Sequence, residues 1–145
     1  MKLLKNERGT AILEAAVTLP LILFVSVAIF EFGRAYQTWE VLINAAREGA
    51  RVAVLPGTTS SDVQSRVATY MESGQLANAA TATVDIDRNR TISIGATTAS
   101  ASQVTVNYPF QFIVLQPVAR LVASGSSLGS PFTMTVSAEM RNEAQ

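Results

Sequence analysis

The sequence predicts an α+β chain in which one long N-terminal helix, membrane-spanning at first and amphipathic beyond, packs with a short helix on a small, mainly antiparallel sheet. Three observations predict it. The run from Ala11 to Phe30 is apolar apart from a single charge, Glu14. Helical periodicity then continues to Leu55. Further on the period changes to two, with Val84 and Ile86 set against Asp85 and Asp87.

The twenty residues of Ala11 to Phe30 match a hydrocarbon core of about 30 Å at about 1.5 Å per helical residue. Lys2, Lys5 and Arg8 stand before the run against Glu7, and Glu31, Arg34 and Glu40 follow it. The positive excess predicts a single pass with the N-terminus in the cytoplasm and the rest of the chain across the membrane. A cleaved secretory signal has a shorter apolar core and a small-x-small site. This run ends instead in Phe30-Glu31-Phe32-Gly33-Arg34. Pro20 removes one helical N–H and crowds the carbonyl near Ala16, which predicts a kink or local loosening. Membrane helices tolerate such a proline without any function attached to it.

Glu14 is the residue that needs a reason. A carboxylate within an apolar span costs about 2.5–3.5 kcal/mol on insertion scales. Either it snorkels to the interface from near the helix end, or it meets a cation supplied from elsewhere.

From Arg34 to Leu55, Tyr36, Trp39, Ile43, Ala46, Ala50 and Val54 share one face. Gln37, Glu40, Asn44, Arg47, Glu48 and Arg51 share the other, which reads as solvated with local ion pairs. Tyr36 and Trp39 suit a membrane-interface belt as well as a core. Ala45, Ala46, Gly49, Ala50 and Ala53 form a small-residue surface. Its expected use is close packing against the chain's own sheet, with a subunit contact as the alternative. Ala11 to Leu55 thus forms one kinked spine of about 68 Å.

Leu55-Pro56-Gly57 stops that spine. Ser61 and Gln64 read as a capping box opening a second helix, with Val63, Val67, Tyr70 and Met71 inward and Gly74 at its close. The alternation of Val84 and Ile86 resumes at Ile92 and Ile94 after an expected turn at Arg88-Asn89-Arg90. Val104, Val106, Tyr108 and Phe110 give a third strand, which Pro109 assigns to an edge or a strand end. A short helix over Pro117 to Val122, a loop from Ser124 to Ser130 and a last strand from Phe132 to Met140 complete the domain.

The chemistry is narrow. At 145 residues there is room for one modest domain beside a membrane segment. Eleven basic and eleven acidic residues cancel, so nothing points to nucleic acid. Cysteine is absent, which excludes disulfides and thiolate sites, and histidine is absent, which removes the commonest general base and metal ligand. Gly125-Ser126-Ser127-Leu128-Gly129 matches G-x-S-x-G, yet the only lysines, Lys2 and Lys5, lie before the apolar run. No base is left for a serine nucleophile. Asp85 and Asp87 supply too few oxygens for calcium. No cofactor and no enzymatic activity are expected.

Glu14 is the fifth residue after Gly9, behind a short basic leader. That arrangement resembles a type IV prepilin. "EFGRAY" followed by "NAAREGARVAV" further resembles the TadE-like minor pseudopilins of the tight-adherence (Flp) pilus system, over most of the first 55 residues. Thr10-Ala11-Ile12-Leu13-Glu14 departs from the Phe and Thr-Leu-Ile-Glu pattern of type II secretion pseudopilins, and the chain is too long for a major Flp pilin.

The resemblance implies a leader over 1–9, a transmembrane helix over 10–33 and an extracytoplasmic pilin-like domain over 34–145. It implies cleavage between Gly9 and Thr10 by a prepilin peptidase. The freed Thr10 amine then becomes available to a carboxylate, and Glu14 serves assembly by pairing with the N-terminal amine of a neighbouring subunit. Other pilins or pseudopilins and the platform proteins are the implied partners. The implied location is the bacterial cytoplasmic membrane, or the pilus itself. The alternative is an uncleaved single-pass protein whose outer domain binds a ligand or a secretion partner.

Overall fold

The computed structural model describes residues 7–142. Most of the expected leader, residues 1–6, lies outside them. The chain forms α1 (Glu7–Ala53), α2 (Ser60–Ser73), a 3-10 turn (Ala79–Thr81), β1 (Thr83–Ile94), β2 (Thr97–Phe110), α3 (Leu115–Val122) and β3 (Phe132–Arg141). The strands make one sheet in the order β1-β2-β3, antiparallel throughout. The α+β architecture is as expected, with a long helix and shorter helices packed on a small sheet.

α1 runs through 47 residues and remains helical across Pro20. Its first half lies open, with Ile12, Leu13, Val17 and Leu21 exposed. Beyond it, Thr38, Leu42, Ala45, Ala46, Gly49, Ala50 and Ala53 are buried against α2 and the sheet. This stripe is turned by about a quarter of the helix circumference, at 100° per residue, from the face that periodicity suggested. Tyr36 is 67% exposed and Trp39 39% exposed. The small residues decide the phase, because they let α1 approach its neighbours more closely than large side chains would allow. A Cβ built on Gly49 would lie 2.5 Å from Val67 Cγ2 and 3.2 Å from Val104 Cγ1. The small-residue surface therefore serves the chain's own fold.

The capping box of α2 begins two residues earlier than expected. Thr59 is the N-cap, accepting from the Asp62 N–H at 3.2 Å, while Asp62 Oδ2 accepts from the Thr59 N–H at 2.8 Å. A carboxylate at the positive end of a helix outcompetes the neutral Gln64 amide for this position. The cap in turn holds the Asp62 carboxyl below its ordinary range. Gly74 caps the other end, as expected.

β1 is a single strand across the expected turn at Arg88-Asn89-Arg90. A register shift between Asp87 and Arg90 absorbs the irregularity as a bulge, and Arg88 Nη1 donates to the Thr58 carbonyl at 2.8 Å. The chain reverses instead at Gly95 and Ala96, between the paired Ile94 and Thr97. β2 is the central strand and not an edge. Pro109, next to its last residue, needs no ladder N–H at a strand end.

Val104, Val106, Tyr108 and Phe110 of β2 join Met134 and Val136 of β3 on the helix-covered face. The opposite face is polar and self-bonded: Thr105 to Ser137 at 2.9 Å, Thr135 to Asn107 at 2.8 Å, and Asn107 to Asp85 at 3.1 Å. Asp85 and Asp87 accept hydrogen bonds within this sheet. Among the described residues no acidic cluster is arranged to hold a metal ion.

Candidate functional site

Gly9, Thr10 and Glu14 lie exposed on the first turns of α1. Residues four apart in a helix stand one above the other, so Thr10 and Glu14 share a face one turn apart. The hydroxyls of Thr18 and Ser26 donate to the carbonyls four residues back, at 2.9 and 2.8 Å. Their polarity is thereby satisfied within the helix. Glu14 differs, since among the described residues its carboxylate has no ion-pair partner. The segment thus combines an exposed apolar surface with one carboxylate near its start. It is suited to recognition by another helix.

A second centre, at the far end of the apolar run, brings together residues that sequence reasoning left apart. Glu31 and Arg34 read there as charges flanking a membrane span. In the structure Glu31 is fully buried. One of its carboxylate oxygens, Oε1, accepts from the backbone N–H groups of Ile113 and Val114, at 2.8 and 2.5 Å. The other, Oε2, accepts from Arg34 Nη2 at 3.0 Å. Val114 is the N-cap of α3 and has no capping side chain of its own. Glu31 therefore caps α3 from a distance, where a negative charge suits the helix dipole.

Arg34 completes the arrangement. The same Nη2 donates to the Gln111 carbonyl, and the guanidinium lies 4.5 Å from the Phe110 ring centroid. Phe110 belongs to a ring cluster with Phe112, Phe132 and Phe32, with Phe110 and Phe112 edge to face at 5.2 Å and Phe32 and Phe112 at 6.1 Å. The sequence did hold a signal for this. Glu31, Thr38, Leu42, Ala45 and Gly49 follow one another at helical spacings of three, four or seven, which puts Glu31 on the buried stripe.

The G-x-S-x-G stretch lies in the loop after α3, not at a strand-to-helix turn. Ser127 there accepts from the Ser130 N–H through its carbonyl. Gly129, at φ +76°, lets the loop close on α3, since a Cβ would lie 2.7 Å from Gln116 N.

α1 is long and apolar enough to cross a membrane, and its most apolar stretch has no part buried inside the fold. No curated protein and no solved structure matches the chain. The family model described as TadE-like protein matches residues 9–51. That range begins at Gly9, contains Glu14 and Glu31, and covers the buried stripe of α1 as far as Ala50. On this segment, the same one that carried the resemblance, the chain is similar to TadE-like proteins.

Proposed function

We propose that this chain is a minor pseudopilin of a tight-adherence pilus system, involved in assembling or priming an adhesive pilus and without enzymatic activity. The family match and the apolar helix support membrane association within that system. In this reading a prepilin peptidase cuts between Gly9 and Thr10 on the cytoplasmic side. The Glu14 carboxylate of one subunit then meets the Thr10 amine of another. Each charge alone is costly in lipid, and pairing relieves both. The cost of Glu14 thereby sets the axial register between neighbouring helices. The outer domain, carried on the continuous α1, meets the other pilins and the platform proteins.

The observation that carries this reading is the spacing of Gly9 and Glu14 at the start of an open apolar helix, inside the matched segment. The test is the intact mass and N-terminal sequence of the protein recovered from its native membrane. A chain beginning at Thr10 is expected. A chain that keeps Met1 to Gly9 leaves Glu14 without a partner and turns the assignment to an anchored binding module.

A further inference from the structure

α3 and the loop after it descend along α1, back toward its N-terminus. Their start is fixed at Glu31 through Ile113 and Val114. Their far end faces Pro20, Leu21 and Phe24, across a groove of about 480 Å³ walled by Val118, Ala119 and Leu128. Seven residues separate Phe24 from Glu31 and eleven separate Pro20 from it. At about 1.5 Å per residue this hairpin reaches roughly 10–16 Å below Glu31 along the apolar helix. It therefore lies beside the segment that spans the membrane, not above it.

Its outward surface carries large apolar side chains among polar ones. Leu121 is 86% exposed, more than any large apolar side chain of the membrane segment, where Ile12 reaches 70%. Ile113 and Leu128 are exposed at 63% and 51%. Pro117 and Leu121 share one face of α3, while Gln116 and Arg120 share another.

Part of the backbone is paired within the hairpin. Glu31 satisfies the donors before α3, Ala123 N–H bonds back to Ala119, Ser126 N–H to Ala123 and Ser130 N–H to Ser127. Each such bond lowers the cost of bringing these backbone groups near lipid. The groove opens between the hairpin and the exposed apolar stretch of α1, so the medium that covers that stretch reaches the groove.

We infer that the hairpin from Ile113 to Leu128 is a second membrane contact. It lies in the outer leaflet against α1, with Leu121 and Leu128 among the acyl chains and Arg120 and Gln116 at headgroup level. An acyl chain fills the groove beside Pro20 and Phe24. This contact, together with the Glu31 anchor, fixes the height and tilt of the head on the bilayer. The inference rests on the reading of α1 as a membrane span, and the test separates the two.

The chain has no cysteine, so single cysteines can carry an environment-sensitive fluorophore on the full-length protein in phosphatidylcholine–phosphatidylglycerol vesicles. Sites are Leu121→Cys and Leu128→Cys in the hairpin, Ile22→Cys in the span and Ser65→Cys on the exposed face of α2. Lipids spin-labelled along the acyl chain serve as quenchers, and iodide serves as the aqueous quencher.

Lipid quenching at residues 22, 121 and 128 is expected, with iodide quenching alone at residue 65. Quenching by lipid at residue 22 but only by iodide at 121 and 128 overturns the inference and leaves the span intact. Protection of 121 and 128 from both quenchers also overturns it, because protein then covers that face. No lipid quenching at residue 22 removes the span and the inference with it.

Discussion

Glu31 accepts a hydrogen bond at 2.5 Å from the backbone N–H of Val114, 83 residues further along the chain. This contact ties the last turn of the apolar run to the first turn of α3. It converts a residue that looks like a charge at a membrane boundary into the point where the helix enters the folded head. Neither partner is replaceable from nearby, since Val114 has no polar side chain to cap α3 itself.

Glu31→Ala should therefore destabilise the head by about 2–4 kcal/mol, through unsatisfied backbone donors and an Arg34 left without its carboxylate. Glu31→Gln keeps one acceptor and should lose about half as much. Urea unfolding of the full chain in micelles, followed by the fluorescence of the single tryptophan, Trp39, measures both. Faster tryptic cleavage after Arg120 in the alanine variant should accompany the loss. Equal stability of the three proteins would remove Glu31 from its assigned role.

Two glycines of α1 should respond in opposite directions to alanine. At Gly49 the new methyl meets Val67 at 2.5 Å and Val104 at 3.2 Å. Overpacking costs about 1–3 kcal/mol and outweighs a helix-propensity gain of about 1 kcal/mol. At Gly33 nothing lies within 4 Å of such a methyl, so only the propensity gain remains, up to about 1 kcal/mol. Denaturant midpoints should fall for Gly49→Ala and hold or rise for Gly33→Ala. The same sign at both positions contradicts the packing described for α1.

These two cases mark what the sequence made legible. The apolar run, the amphipathic continuation and the period-two strands follow from local patterns, and the structure has a helix or a strand at each of them. Glycine 9 and Glu14 were legible because their spacing is local as well. Glu31 was not, because its partners lie beyond residue 110 and no local pattern joins them. The phase of the α1 stripe was misjudged for a related reason. Periodicity weighed the large apolar Tyr36 and Trp39, whereas the fold follows the small residues that permit close approach. The bulge at Arg88 imitated a turn because its polar triplet interrupts alternation, and only pairing with β2 carries the strand through it.

Acid should weaken the junction between α1 and α2. Arg51 holds Glu48 by paired hydrogen bonds, Arg66 of α2 reaches the same carboxylate, and together they lower its pKa from 4.5 to about 2. A folded pKa below the unfolded one gives stability that is complete above about pH 4.5 and is lost as pH falls toward about 2. The arginines are 62% and 47% exposed, so solvent screening keeps the contribution of the network small. The gap in urea midpoint between the natural chain and Glu48→Gln should be open at pH 6 and nearly closed at pH 2.5. A gap independent of pH assigns the stabilisation to packing instead.

Glu14→Leu separates insertion from assembly. Removing the carboxylate relieves a cost of about 2.5–3.5 kcal/mol in the apolar segment, so membrane insertion should be as complete as in the natural chain or more so. In the proposed assembly, however, the Thr10 amine of a neighbouring subunit then has no carboxylate to meet. Processing at Gly9 should continue, because the glycine and the leader are unchanged, while incorporation into pilus or priming complexes should fall at least tenfold, the equivalent of about 1.4 kcal/mol. Membrane fractionation, intact mass and the yield of sheared pili read the three steps separately. Unimpaired piliation with a leucine at this position means that Glu14 does not set the register, whereas failure of processing as well moves its role back to recognition by the peptidase.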